Sequence, residues 1–163
     1  MYTNDFLDEL LSCPKTITEG VRSVPNRGGY TKKEFKMKST DGLYDFKGFI
    51  NHNDKFPEDF SCGLVYNPKE EKGKFCIIRV NGLHGGNKHI PHHSHCHEHR
   101  TDAEDINNGI KAERHIEEVK SYTTCEQGVQ YYVKRINIVE PDRSKHFPRP
   151  VIPVPTLFDG IYD

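Results

Sequence analysis

Residues 34–50, EFKMKSTDGLYDFKGFI, decide the fold. In the first half Phe35 and Met37 alternate with Glu34, Lys36 and Lys38, a period of two that sends the apolar side chains to one face of a strand and the charged ones to the other. Asp41-Gly42 is a two-residue hairpin signal, because the two central positions of such a turn favour positive φ. The return run places Tyr44, Phe46 and Ile50 on one side, so the stretch predicts an antiparallel hairpin with a single apolar face. Working outward, residues 61–66 read as a third strand, and Asn67-Pro68 opens a charged connection that ends at Gly73. Residues 74–80 carry Phe75, Ile77, Ile78 and Val80 and read as a fourth strand, apolar enough to be covered on both faces. Sequential strands with short links favour a meander.

The flanks read as helices and loops. Phe6, Leu7, Leu10 and Leu11 recur at helical spacing after the capping residues Thr3 and Asn4, and Pro14 ends the pattern. Pro25, Asn26, Gly28 and Gly29 break both periodicities, so residues 15–30 are expected to form a loop. Beyond the strands, Thr101 and Glu104 have the spacing of a capping box, which predicts a helix running toward Tyr122 with a weak point at Asn107-Asn108-Gly109. Thr124 with Gln127, or Thr123 with Glu126, caps a further helix whose apolar stripe is Val129, Tyr132, Val133 and Ile136. From Pro141 onward Pro148, Pro150, Pro153 and Pro155 predict an extended tail. The expectation is therefore one α+β domain over residues 1–140, a four- to five-stranded antiparallel meander with an N-terminal helix and two C-terminal helices, followed by a Pro-rich tail over residues 141–163.

Composition narrows the class. Leu, Ile, Val and Phe supply 23% of the 163 residues, enough for a thin core, and the net charge of −1 is too small to hold the chain unfolded. The chain has no apolar run of membrane-spanning length, and its acidic, amphipathic start does not resemble a signal peptide, so a cytoplasmic location is expected. With 23 basic against 24 acidic side chains, nucleic-acid binding would need a local patch. Cys13, Cys62, Cys76, Cys96 and Cys125 are odd in number and never form a CxxC pair, which argues against a disulfide framework. Cys62 and Cys76 fall in apolar runs and read as buried thiols, whereas Cys96 lies among histidines.

Histidine is the anomaly: seven of ten copies lie between His84 and His99. In HHSHCHEH, His93, His95, His97 and His99 recur every second residue, so an extended backbone would project all four imidazoles from one face. Three readings follow. His93, His95 and His97 with His84 or His89 from the preceding loop could complete a tetrahedral site, for which zinc is the best-suited ion. Alternatively, imidazoles titrate near neutrality and could serve as acid and base in cleavage of a phosphodiester, with Arg79 and Arg100 stabilising the phosphorane charge. The third reading is a solvated loop without chemistry.

The run IIRVNGLHGGNKHIPHHSHCHEHRT, followed by NNGIKAERH and by YYVKRINI, resembles a family of small prokaryotic and phage proteins of unknown function, in which an Arg-x-Asn/Asp-Gly-x-His strand end precedes a His-x-His strand. The order is also similar to that of TumE-type ribonuclease toxins, which pair a small sheet with a His-rich segment. Carried over residue by residue, the resemblance points to Arg79, His84, His95, His97 and Arg100, and it spans residues 63–139. It implies a ribonuclease with RNA as substrate and an antitoxin as protein partner; from the residues' own chemistry, His95 and His97 would be its catalytic acid and base, assisted by His84 or His99, with Arg79 and Arg100 holding phosphate. Two alternatives remain open from the residues themselves: a zinc-binding interaction module, and a phage-encoded inhibitor that docks on a bacterial defence protein.

Overall fold

A computed structural model describes residues 1–25, 28–70, 73–83, 91–110 and 113–151, except for the side chains of Pro91 and His92. His84 and His89 lie outside the described residues, as does the tail beyond Val151. The expected hairpin is present as β2 (Tyr30–Ser39) and β3 (Asp45–Asn53), turning at Gly42 with a φ of 78°. β4 (Phe60–Asn67) and β5 (Phe75–Asn81) continue the meander, and every neighbouring pair is antiparallel.

The sheet has seven strands, not four to five, in the order β1 to β7. Three strands account for the difference. β1 (Lys15–Val24) occupies residues read as a loop, and it is an edge strand with two register shifts and few buried positions, so it offers no clean alternation. Its pairing with β2 makes it a strand. β6 (His97–Arg100) is four residues of the histidine segment, and β7 (His115–Glu118) is fully exposed along its length. The long helix expected after Thr101 shrinks to α2 (Ala103–Asn107), whose N-cap is Asp102, with its side chain accepting from the Glu104 amide at 2.8 Å. Thr101 is buried instead. Gly109, at a φ of 78°, stands where the helix would have continued, and the chain returns as β7.

The other helices follow local rules more closely. α1 (Asn4–Ser12) is N-capped by Thr3 and buries Leu7, Leu10 and Leu11. α3 (Cys125–Arg135) carries the complete Thr124/Gln127 capping box and buries Tyr132 and Val133. In the stretch expected to be extended from Pro141, α4 (Asp142–His146) forms before Pro148 can interrupt it, and Phe147 packs edge-on against Phe35 in the core with ring centroids 5.1 Å apart. Among the described residues no helix is long and apolar enough to cross a membrane.

α1, α2 and α3, together with Phe147 just beyond α4, bury apolar side chains in one core against Phe35, Met37, Phe46, Ile50, Cys62, Leu64, Ile78 and Val80. Directly paired residues of antiparallel strands share a face, so these positions define one side of the sheet, and their sequence neighbours define the other.

Lys15 stitches this core. Its side chain is fully buried, and Nζ donates to the carbonyls of Leu11 (2.9 Å), Cys13 (2.8 Å) and Ile136 (2.9 Å), while lying 4.8 Å from the centre of the Phe46 ring. One ammonium thus closes the C-terminal ends of both α1 and α3. Lys15→Met should leave three buried carbonyls without a donor and lower stability by about 3 kcal/mol, read as a fall in Tm of roughly 6–12 °C.

Burial also pushes the thiols of Cys62 and Cys76 far above their ordinary value of 9.0. Above pH 9 the unfolded chain releases these protons and the folded chain keeps them, so the stability they contribute is present below pH 9 and lost as pH rises. In urea titrations from pH 8 to 10, Cys62→Ala should show a shallower decline than the unsubstituted chain.

Candidate functional site

The face of the sheet opposite the core carries two cross-strand rows. Glu34, Phe49, Gly63, Arg79, His99 and Ile116 are successive partners from β2 to β7, and Lys32, Asn51, Ser61, Asn81, His97 and Glu118 form the row beside them. The middle strand contributes only Gly63 and Ser61, the two smallest side chains in these rows; the Phe49 ring fills the space over Gly63, and Ser61 stands between the larger Asn51 and Asn81. The result is a cleft of about 430 Å³ with Ser61 at its floor, Asn51 on one wall and Arg79, Asn81 and His99 on the other. Tyr30 and Asp59 close one end, with the phenol donating to the carboxylate at 2.7 Å. That hydrogen bond raises the Tyr30 phenol above its ordinary value.

Three side chains of this cleft hold buried polar atoms without a hydrogen-bond partner: Ser61 Oγ, Arg79 Nε and Asn81 Oδ1. Such an atom costs roughly 1–3 kcal/mol if nothing satisfies it. Five side-chain atoms of this kind occur among the described residues, and three of them meet here. All three belong to residues that line this one concavity.

The imidazoles are held at this site in different ways. His99 directs Nδ1 at the carbonyl of Glu113, 2.9 Å away. A carbonyl only accepts, so the neutral ring carries its proton on Nδ1, and Nε2 is its basic atom. His97 is buried; its Nδ1 donates to the His95 carbonyl at 2.7 Å and its Nε2 accepts from Asn81 Nδ2 at 3.3 Å. The His97 ring lies 4.9 Å from that of His99 and 6.5 Å from that of His93, centre to centre. Arg79 donates to Glu113 at 3.2 Å and stands with its guanidinium carbon 5.6 Å from the centre of the Phe49 ring.

The single four-histidine stripe does not form. Pro91–Ser94 makes a 3₁₀ turn that takes His93 out of the strand, and only His97 and His99 keep the alternation. His95 is exposed, with Nδ1 3.9 Å from a Glu118 oxygen. Arg100 emerges on the opposite face and donates to Asp8 of α1 at 2.6 Å. Of the expected metal ligands, His84 lies outside the described residues and both ring nitrogens of His97 are already engaged. Among the described residues no three His, Cys, Asp or Glu side chains are grouped to hold a metal ion. Cys96 is buried, and burial raises its thiol.

Sequence reading missed Tyr30, Asn51, Asp59, Ser61 and Glu113, which have no local signature, and it left Asn81, the asparagine of the Arg-x-Asn-Gly-x-His motif, without a role. It also missed what orients the histidines. Glu98, between them in sequence, is buried on the core face, where it accepts from Tyr131 Oη (2.9 Å), Arg135 Nε (3.2 Å) and Arg135 Nη2 (3.1 Å) of α3. Tyr122 adds a second tie from the same side, donating to the Asn81 carbonyl at 2.8 Å.

No known protein family, no curated protein and no solved structure matches this chain.

Glu98→Leu should leave Arg135 and Tyr131 without their acceptor and lower stability by about 3 kcal/mol. Urea unfolding measures the loss, and the His97 and His99 ring signals in NMR should move with it.

Proposed function

We propose that the open-face cleft cleaves RNA by acid–base catalysis without a metal ion. The reading is carried by one observation: three unpartnered polar atoms, a basic imidazole nitrogen and a guanidinium share a single concavity. His99 Nε2 would take the proton of a ribose 2′-hydroxyl, because its Nδ1 is already committed to the Glu113 carbonyl. The 2′-oxygen then bonds to phosphorus as the bond to the 5′-oxygen breaks, leaving a 2′,3′-cyclic phosphate. Tyr30, whose phenol is protonated at neutral pH like any tyrosine, supplies the proton to the departing 5′-oxygen as its hydroxyl turns from Asp59. The exposed end of the Arg79 guanidinium donates to the phosphorane oxygens, an interaction that strengthens as negative charge develops there.

His97 is a positioning residue in this scheme. It fixes Asn81 and packs beside His99, and its own nitrogens are occupied. Arg100, held to Asp8 on the far face, has no part in it.

His99→Ala should reduce cleavage of a single-stranded oligoribonucleotide by about 10²- to 10⁴-fold, while His95→Ala and Arg100→Ala retain it. Products should end in a 2′,3′-cyclic phosphate. Treatment with EDTA followed by gel filtration should leave the rate unchanged. Full cleavage by His99→Ala, or a rate abolished by chelation and restored by zinc, would overturn the acid–base reading; the second result would favour a zinc site that includes His84.

A further inference from the structure

The open face extends beyond the cleft across β3, β2 and β1, and its character changes there. Paired positions put Arg22, Lys32, Lys36, Lys38 and Lys47 on it, against the carboxylates of Glu19, Glu34 and Asp45. Five cations therefore face three anions on one side of three strands, in a chain whose net charge is −1. Lys32 and Lys47 share a single carboxylate, Glu34, at 3.0 and 2.8 Å, so this central group carries a surplus positive charge.

Phe49 stands between that basic area and the cleft. Its ring lies down on Gly63: a Cβ at Gly63 would come within 2.3 Å of two ring atoms. A glycine there is what lets the ring lie flat across the neighbouring strand. Lys32 Nζ stands over the ring at 5.8 Å and the Arg79 guanidinium carbon at 5.6 Å from its centre, so a base reaching the ring would displace these cations toward its own phosphates. A half-buried aromatic ring on an open, positively charged sheet face, adjoining a cleft with unsatisfied polar atoms, is the arrangement that takes an unpaired nucleobase: the ring stacks on the base and the flanking cations meet the phosphates.

We infer that this face binds single-stranded RNA, with a base stacked on Phe49, its flanking phosphate held by Lys32 and Lys47, and the next nucleotide entering the cleft. The inference rests on the cleavage reading only in assigning the cleft to the same strand. A duplex would not serve, because its bases are already stacked on each other and cannot reach the ring.

The probe is a short fluorescein-labelled oligoribonucleotide with 2′-O-methyl sugars, which has no hydroxyl for the cleavage step, measured by anisotropy as a single strand and as a duplex. The single strand should bind more tightly than the duplex. Phe49→Leu should weaken single-strand binding by about 5- to 150-fold, and Phe49→Tyr should restore most of it. Lys36→Ala, a change at an exposed position, should lower the salt dependence of log Kd by roughly 0.7 without altering the melting curve; it keeps the test decisive if Phe49→Leu fails to fold. Binding lost in Phe49→Leu with no cleavage of unmodified RNA by the unsubstituted chain would leave the inference standing and sink the nuclease. Cleavage with unchanged single-strand affinity in both Phe49→Leu and Lys36→Ala would do the reverse. Equal affinity for duplex and single strand, or no binding of either, would overturn the inference.

Discussion

Antiparallel register is the constraint from which this molecule follows. A direct cross-strand pair must share a face, and the meander carries that rule through seven strands without a crossover. Once Phe35 and Phe46 commit one face of the hairpin to the core, the face of every later strand is set as far as its bulges allow. Arg79 and His99 are 20 residues apart in sequence and opposite each other in the sheet for this reason alone. The same rule brings Ser61 between the taller Asn51 and Asn81, so the cleft opens over one short side chain of the middle strand, while the Phe49 ring covers Gly63 beside it. Slipping one residue would send Arg79 and His99 into the core and Val80 and Glu98 into solvent.

Two buried charges secure the other side of the sheet. Lys15 answers the open carbonyls at the ends of two helices, and Glu98 answers a tyrosine and an arginine of α3. Each is placed where the apolar core alone would leave polar groups unsatisfied, and each ties a helix to a strand that is short or peripheral. Glu98 has the closer bearing on chemistry. It pins the four-residue strand β6 from below, and the two imidazoles flanking it in sequence stand above as a result.

Where sequence reading succeeded, the determinants were local. The alternation in residues 34–50, the Thr3 cap and the Thr124/Gln127 box each involve residues a few positions apart, and each forms as expected, whereas the hairpin connection is longer than the two residues expected, with the Ser39 amide donating to the Tyr44 carbonyl and Gly42 but not Asp41 at positive φ. β1 and β7 could not be read in that way. Neither buries a regular apolar stripe, because both lie at edges of the sheet and exist through backbone pairing with a neighbour. The helix expected after Thr101 failed for a related reason: Asp102 rather than Thr101 caps it, and the positive φ of Gly109 turns the chain back toward β6. Among the site residues, Arg79, His97 and His99 could be singled out from composition and spacing, and they do meet. Tyr30, Asn51, Asp59, Ser61 and Glu113 around them carry no pattern by which a sequence would mark them.

The sequence by itself determined that this chain forms an α+β meander with a capped helix at each end of the strand series, and that histidine and arginine crowd its second half. Those properties depend on side-chain periodicity and on hydrogen bonds between near neighbours. The tertiary structure alone decided which histidine faces the cleft, which is consumed in holding an asparagine, and which arginine is turned away to α1. These outcomes depend on pairing between distant strands and on the burial of Glu98 against α3, and neither is encoded in any short stretch of the chain.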